Sequence, residues 1–149
     1  MSERESVLEH MSCAEAVYLS TVDGGLPRIR AMVNLRRRDL YPAPAAFCRE
    51  QGFHCFFATS RASGKVRELR ANPVAAVYYA LPPKTWGVEL RGEMEILCGE
   101  ALKRALWTEE WRVYWPEGQD DSDYVVLRLR PLSARGWRGT EPFAVELEQ

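Results

Sequence analysis

Histidine is nearly missing from this chain of 149 residues, which holds two, His10 and His54. Cysteine is scarcely more common: Cys13, Cys48, Cys55 and Cys98 are scattered, with no C-x-x-C pair. Zinc sites need closely spaced cysteines and histidines, so a metal centre is not expected. Four scattered thiols fit reduced cysteines in a cytosolic core better than a disulfide framework. No apolar run approaches the roughly 18 residues that a membrane-spanning helix requires. Neither sign of charge dominates, with 20 Lys and Arg against 21 Asp and Glu and a net charge of −1. Nucleic-acid-binding domains usually carry a clear basic surplus, so that partner is not expected either. The opening residues Met1-Ser2-Glu3-Arg4-Glu5-Ser6 are polar and mixed in charge, unlike a secretion signal. Internal repeats and low-complexity linkers are also lacking. The expectation is one cytoplasmic domain spanning 1–149, ordinary in its 46% apolar and 28% charged residues.

What is present is mostly strand pattern. Residues 5–12 suit a short amphipathic helix with Val7, Leu8 and Met11 on one side. Ala16–Val22 reads as a strand, Asp23-Gly24-Gly25 as a hairpin turn, and Pro27–Leu35 as the return strand. Alternation along the return strand puts Ile29, Ala31, Val33 and Leu35 on a core face and Arg28, Arg30, Met32 and Asn34 on the other. Residues 36–52 break the pattern, with Arg36-Arg37-Arg38 read as a solvated loop and Ala45–Gln51 as a short helix. Phe53–Thr59 is apolar on both faces and reads as a central strand, in which His54 faces a neighbour rather than serving as a base. A helix follows from Ser63 to Ala71, stopped by Asn72-Pro73. Val74–Leu81 and Gly87–Cys98 are further strands, the second exposing Glu89, Arg91, Glu93 and Glu95. Glu100–Trp115 is predicted as a helix carrying Trp107, Trp111, Tyr114 and Trp115 on one side, as core or as a cover for a ligand or partner. Tyr124–Arg130 and Ser133–Arg138 complete a six- to seven-stranded antiparallel barrel, closed or nearly so, and 139–149 is left as a tail.

One constellation carries chemistry. Thr59-Ser60-Arg61-Ala62-Ser63-Gly64-Lys65 runs from a strand end into a helix start. A helix N-terminus offers unpaired N–H groups and a partial positive charge, which attract phosphate. Arg30 and Lys65 would add a fork-shaped and a point-charge donor for the same dianion. The outline is a phosphate pocket.

Several stretches then occur in a telling order: Tyr18-Leu19-Ser20-Thr21-Val22-Asp23-Gly24, Arg30-Ala31-Met32-Val33, and Phe57-Ala58-Thr59-Ser60 leading to Ser63-Gly64-Lys65-Val66-Arg67 and Asn72-Pro73. Leu90-Arg91-Gly92-Glu93-Met94-Glu95-Ile96, Tyr114-Trp115-Pro116-Glu117-Gly118 and Leu127-Arg128-Leu129-Arg130-Pro131 follow. Over residues 12–138 this resembles the pyridoxamine 5'-phosphate oxidase-like FMN-binding split barrels, above all their short general-stress-type members. The resemblance implies a split β-barrel and FMN as cofactor. Arg30, Ser63 and Lys65 would then hold the FMN phosphate, Met32 and Val33 would run along the ring, and Thr59 and Ser60 would lie beside the ribityl chain. Trp137 is a candidate for the pocket wall. The resemblance also implies a homodimer with FMN at the subunit interface, and a flavin-dependent oxidoreductase acting on a small molecule. The alternatives are a non-catalytic flavin carrier or stress-linked sensor, or a deazaflavin-binding reductase. Haem is a poorer fit, because His54 makes a weak axial ligand.

Departures from the full oxidases argue against true pyridoxamine phosphate oxidase activity. Gly64 stands where those enzymes have arginine, Gly87 falls near their flavin-contacting glutamine, and no histidine follows His54. The insertion at 36–52 has no counterpart in the oxidase and is expected to shape one wall of the site. No catalytic residue stands out.

Overall fold

The computed structural model describes residues 1–147. In chain order the elements are α1 (Glu3–Cys13), β1 (Ala16–Asp23), β2 (Leu26–Met32), α2 (Pro42–Glu50), β3 (Cys55–Ser60), α3 (Gly64–Ala71), β4 (Val74–Leu81), β5 (Trp86–Leu97), α4 (Glu100–Leu106), β6 (Tyr124–Arg138) and β7 (Glu141–Glu146). Three short 3₁₀ turns, Pro82–Lys84, Glu109–Val113 and Gly118–Asp120, fill the connections. Among the described residues no helix is long and apolar enough to cross a membrane.

All pairings are antiparallel, and the sheet runs β2-β1-β4-β5-β6-β3, with β7 added alongside β6. The sheet curls so that its two terminal strands, β2 and β3, approach one another without pairing. The result is a split barrel. Gly24 and Gly25 turn β1 into β2 with φ of 59° and 84°, a left-handed backbone that glycine adopts at little cost. On α1, the Ser2 hydroxyl accepts from the Glu5 N–H while the Glu5 carboxylate accepts from the Ser2 N–H, and these reciprocal bonds fix where the helix starts.

Two apolar clusters lie on opposite faces of β3 and β6. The larger fills the barrel with Val17, Leu19, Phe57, Tyr79, Leu90, Leu127 and Leu129, capped by Val7 and Met11 of α1. The smaller packs Leu35, Cys48, Phe56, Leu106, Trp111, Trp115, Tyr124 and Val126 under α2 and α4. This double burial explains why the strand at Cys55–Ser60 is apolar on both faces. The sequence suggested a central strand, but β3 pairs with β6 alone and ends the sheet. Its second face is covered by helices instead of another strand.

Further expectations need correction. On β2 the faces are exchanged. Ile29 and Val33 are 71% and 46% exposed, whereas Arg30 and Met32 are half-buried and Met32 packs on the core. Regular β2 also stops at Met32, and Asn34 is buried because its amide donates to the Met11 and Ala14 carbonyls at 2.8 and 3.0 Å. The triple arginine is not uniformly solvated. Arg36 is 4% exposed and donates to the carbonyls of His54 and Gly52, tying the 36–52 segment to β3.

The helix expected over Glu100–Trp115 ends at Leu106, and Trp107 and Thr108 are extended. This break lets Trp107, Trp111 and Trp115 gather around the Tyr124 ring, at centroid distances of 5.3, 6.3 and 5.0 Å. β6 is one strand where two were expected. Its register shifts opposite Arg91 and Gly92, so the Pro131-Leu132 step sits in a bulge that accommodates a proline. Part of the expected 139–149 tail is β7; Glu148 and Gln149 lie outside the described residues.

Candidate functional site

A cavity of about 420 Å³ occupies the split between the two unpaired strands. One wall is Ala31, Met32 and Val33 at the end of β2, and the facing wall is Phe57, Ala58, Thr59 and Ser60 of β3. Ser63 and Lys65 complete the lining with a hydroxyl and an ammonium, and Leu35, Trp111, Tyr114 and Trp115 add apolar and aromatic surface. The cavity therefore combines two kinds of lining, one of hydroxyls and an ammonium, the other apolar and aromatic.

The polar lining follows from local chain chemistry. Ser63 caps α3, its hydroxyl accepting from the Val66 N–H at 3.4 Å, and this aims the helix N-terminus at the cavity. Lys65 Nζ donates to Thr59 Oγ1 at 2.9 Å, and Thr59 Oγ1 lies 3.4 Å from Ser63 Oγ. Burial, and then the nearby Arg30 charge, hold the Lys65 ammonium below its usual pKa, with Glu68 pulling the other way. An ammonium desolvated beside another cation gains from any anion placed against it. Ser60 is positioned from across the site, because its hydroxyl accepts from Trp115 Nε1 at 3.1 Å.

Six of the eight residues named from sequence thus line one cavity: Met32, Val33, Thr59, Ser60, Ser63 and Lys65. Arg30 stands behind that lining. Its Nη2 donates to Glu68 Oε1 at 2.8 Å and its Nη1 donates to Thr21 Oγ1 at 2.8 Å. Trp137 is elsewhere in the chain, 51% exposed in a separate hollow of about 400 Å³ with Tyr78, Glu89, Arg135 and Phe143.

Sequence reasoning missed Thr21 and Glu68. The signal for Glu68 is its place three residues after Lys65, which puts both on one side of α3. Thr21 could have been found from β1, where it alternates with the buried Leu19 and Val17 and therefore faces inward. The tryptophans serve in two ways: Trp111 and Trp115 are buried core and also form part of the cavity's apolar lining, with the 68% exposed Tyr114.

A larger hollow, about 750 Å³, lies outside the barrel on β1, β4, β5 and β6, lined by Val22, Val74, Leu132, Arg91 and Arg130 among others. Its hydroxyls and cations, Ser20, Ser133, Arg91 and Arg130, stand beside the carboxylates Glu93 and Glu95, which the lining of the split lacks.

Among the described residues, those lining the split include no carboxylate, histidine or cysteine. Such a site can hold a molecule with an anionic end and a flat apolar ring. It supplies position and electrostatics, and leaves proton chemistry to Lys65, Tyr114 or the ligand itself.

Residues 32–147 match the family model described as pyridoxamine 5'-phosphate oxidase like. General stress protein 26 of Bacillus subtilis is 24% identical over 148 residues, covering 97% of this chain and 95% of that protein. A Clostridium acetobutylicum protein related to general stress protein 26 is 25% identical with a TM-score of 0.75, covering 97% and 94% of the two chains. An FMN-binding protein of Nostoc punctiforme shares the fold at 13% identity and a TM-score of 0.66, over 100% and 98%. A haem-binding protein of Mycobacterium smegmatis shares it as well, at 17% identity and a TM-score of 0.66, over 98% and 59%.

Proposed function

The chain belongs to the pyridoxamine 5'-phosphate oxidase-like family, and from that premise we propose that it binds FMN in the split between β2 and β3 and serves as an FMN-dependent oxidoreductase on a small organic molecule. The observation that carries this reading is the gathering of Thr59, Ser63, Lys65 and the α3 N-terminus in a cavity that is also lined by Trp111, Tyr114 and Trp115. Hydroxyls, a desolvated ammonium and free helix N–H groups suit a phosphate monoester. Met32, Val33, Trp111 and Trp115 suit a flat ring. For haem iron the described lining offers Met32 and Tyr114 but neither histidine nor cysteine, while its hydroxyls and ammonium suit a phosphate.

Bound flavin would supply the electron-accepting chemistry, and the protein's part is binding and orientation. Lys65 and Ser63 would anchor the phosphate. Arg30 would add long-range attraction from behind the wall, held there by Glu68 and Thr21. Ser60, fixed by Trp115, would stand beside the ribityl chain. The aromatic lining would exclude water from one side of the ring.

A second reading is a flavin carrier without turnover, or a stress-linked sensor. It is favoured by the absence of carboxylate, histidine and cysteine from the described lining.

The partner in this reading is a second copy of the chain. Ile29 on β2 and Val33 just beyond it are exposed apolar residues on one side of the strand, and Val74 and Leu132 border the outer hollow at 53% and 59% exposure. Contiguous exposed apolar surface marks interfaces. The FMN site would lie at that interface, with Trp137 as the partner's contribution.

Replacing Arg30 and Lys65 together by alanine is expected to weaken FMN binding about a hundredfold, from the loss of one charge-assisted contact at Lys65, about 1.5–3 kcal/mol, and of the longer-range attraction of Arg30, on the order of 1 kcal/mol. The measurement is fluorescence titration with FMN, alongside a circular dichroism melt. Retention of full FMN affinity by the folded variant would rule the site out. Reduction of the bound flavin by a nicotinamide donor separates the oxidoreductase from the carrier.

A further inference from the structure

Glu68 is the most heavily engaged side chain near the site and lies outside the cavity lining. Its side chain is 2% exposed, yet it sits among cations. Oε1 accepts from Arg30 Nη2 at 2.8 Å and from Thr21 Oγ1 at 2.7 Å. Oε2 lies 3.5 Å from Arg28 Nε and 3.9 Å from Arg67 Nη2. Lys65, on the same side of α3, is close enough for its own charge to respond to both Arg30 and Glu68. Three guanidinium groups therefore surround a single buried carboxylate with the Lys65 ammonium nearby, and Arg28 also pairs with the more exposed Asp23 carboxylate at 2.9 Å.

Carboxylates of this kind are retained when they are paired, because removing one partner strands the others' charge. Here four cations, Arg28, Arg30, Lys65 and Arg67, face two carboxylates, Glu68 and Asp23. Without a ligand the cations repel one another, and Glu68 is the only group among the described partners of Arg30 that carries the opposite charge. It accepts from Arg30 Nη2, while Nη1 donates to the Thr21 hydroxyl and the Leu19 carbonyl.

We propose that Glu68 is the built-in counter-anion of the phosphate end: it holds Arg30 against α3 when the site is empty, and by its charge it limits how tightly the site grips a phosphate ligand. The proposal rests on the phosphate site described above. It gives Glu68 a positioning role and makes the site one that exchanges its ligand instead of trapping it. Glutamine keeps the shape and the acceptor oxygen for Arg30 and Thr21 but removes the charge. One unit charge acting on a dianion through a part-buried site changes affinity on the order of tenfold.

The test compares the full chain with Glu68→Gln and Glu68→Asp, using FMN, riboflavin and inorganic phosphate as probes. Glu68→Gln is expected to bind FMN about tenfold more tightly, with riboflavin, which lacks the phosphate, unchanged. Glu68→Asp keeps the charge and is expected to stay within about twofold of the parent. Thermal melts should show the empty Glu68→Gln protein less stable than the parent and more strongly stabilised by inorganic phosphate. If Glu68→Gln folds only with phosphate present, the external anion has replaced the internal one and the proposal stands. It is overturned if Glu68→Gln binds FMN no more tightly than the parent, if Glu68→Asp gains as much as Glu68→Gln, or if Glu68→Gln stays unfolded at saturating phosphate. A parent that ignores FMN, beside a Glu68→Gln variant that still gains phosphate stabilisation, would remove the flavin reading and leave the role of Glu68 intact.

Discussion

His10 shows how one buried side chain can set the acid limit of the fold. It is 4% exposed on α1, its ring 5.3 Å from that of Trp86. Nε2 lies 3.3 Å from the Tyr79 carbonyl, so that nitrogen carries the proton and donates. Nδ1 is buried without a hydrogen-bond partner among the described residues. Burial is the largest influence on His10 and lowers its pKa from 6.5; the Tyr79 carbonyl opposes this and the Arg138 charge adds to it. A depressed folded-state pKa means that the unfolded chain takes up the proton first. The contribution to stability is therefore complete above about 6.5 and is lost as pH falls toward the folded value. Urea midpoints measured from pH 8 to pH 5 are expected to decline through this window, and His10→Gln to flatten that part of the profile. Glu68 acts lower on the scale, because the Thr21 hydroxyl and then the Arg30 guanidinium hold its carboxyl below the usual range.

At the scale of elements, close approach between β5 and β6 is permitted by two glycines set diagonally, Gly87 opposite Trp137 and Gly136 opposite Val88. A Cβ at Gly136 would stand 1.9 Å from the Gly87 carbonyl oxygen, which is backbone and cannot yield. A Cβ at Gly87 would meet the Tyr78 hydroxyl at 1.8 Å, and that ring belongs to a side chain that can turn away. Gly136→Ala is therefore expected to cost about 3 kcal/mol, and Gly87→Ala less than half of that. Differential scanning calorimetry of the two variants makes the comparison. The elements were legible from sequence where a local rule was in force. The Asp23-Gly24-Gly25 turn, the Asn72-Pro73 stop and the strand Val74–Leu81 all stand where chain chemistry puts them. They were illegible where tertiary packing decided. Alternation on β2 could not say which face was inward, because an edge strand can bury Arg30 against Glu68 and leave Ile29 outside. The helical spacing of the tryptophans was real, but gathering them on Tyr124 takes an extended break at Trp107 and Thr108 that no period encodes.

For the molecule as a whole, the split barrel was readable because six short strands with hairpin spacing leave few other architectures. The polar lining of the cavity was readable too, because Ser63 and Lys65 begin a helix directly after a strand. What could not be read was which group answers the charge of Arg30, since Glu68 is 38 residues away and meets it only once α3 folds back on β1 and β2. Nor could the sequence show that the outward side of β2 is apolar. Ile29→Glu places a charge on that side and is expected to convert a dimer to monomers while leaving the melting temperature of the isolated chain within a few degrees. Light scattering with a parallel melt reads both, and an unchanged mass would show that this side is not the contact.

The order β2-β1-β4-β5-β6-β3 has a mechanical consequence. A curved sheet with two free ends is a spring clip, and its gape is set by whatever stands between the jaws. Here one jaw carries Met32 and Val33 and the other Thr59 and Ser60, with the cavity between them. A molecule seated there becomes a rivet joining the first hairpin to the far side of the sheet. Loading the site would then stiffen two stretches of chain that are nearly thirty residues apart.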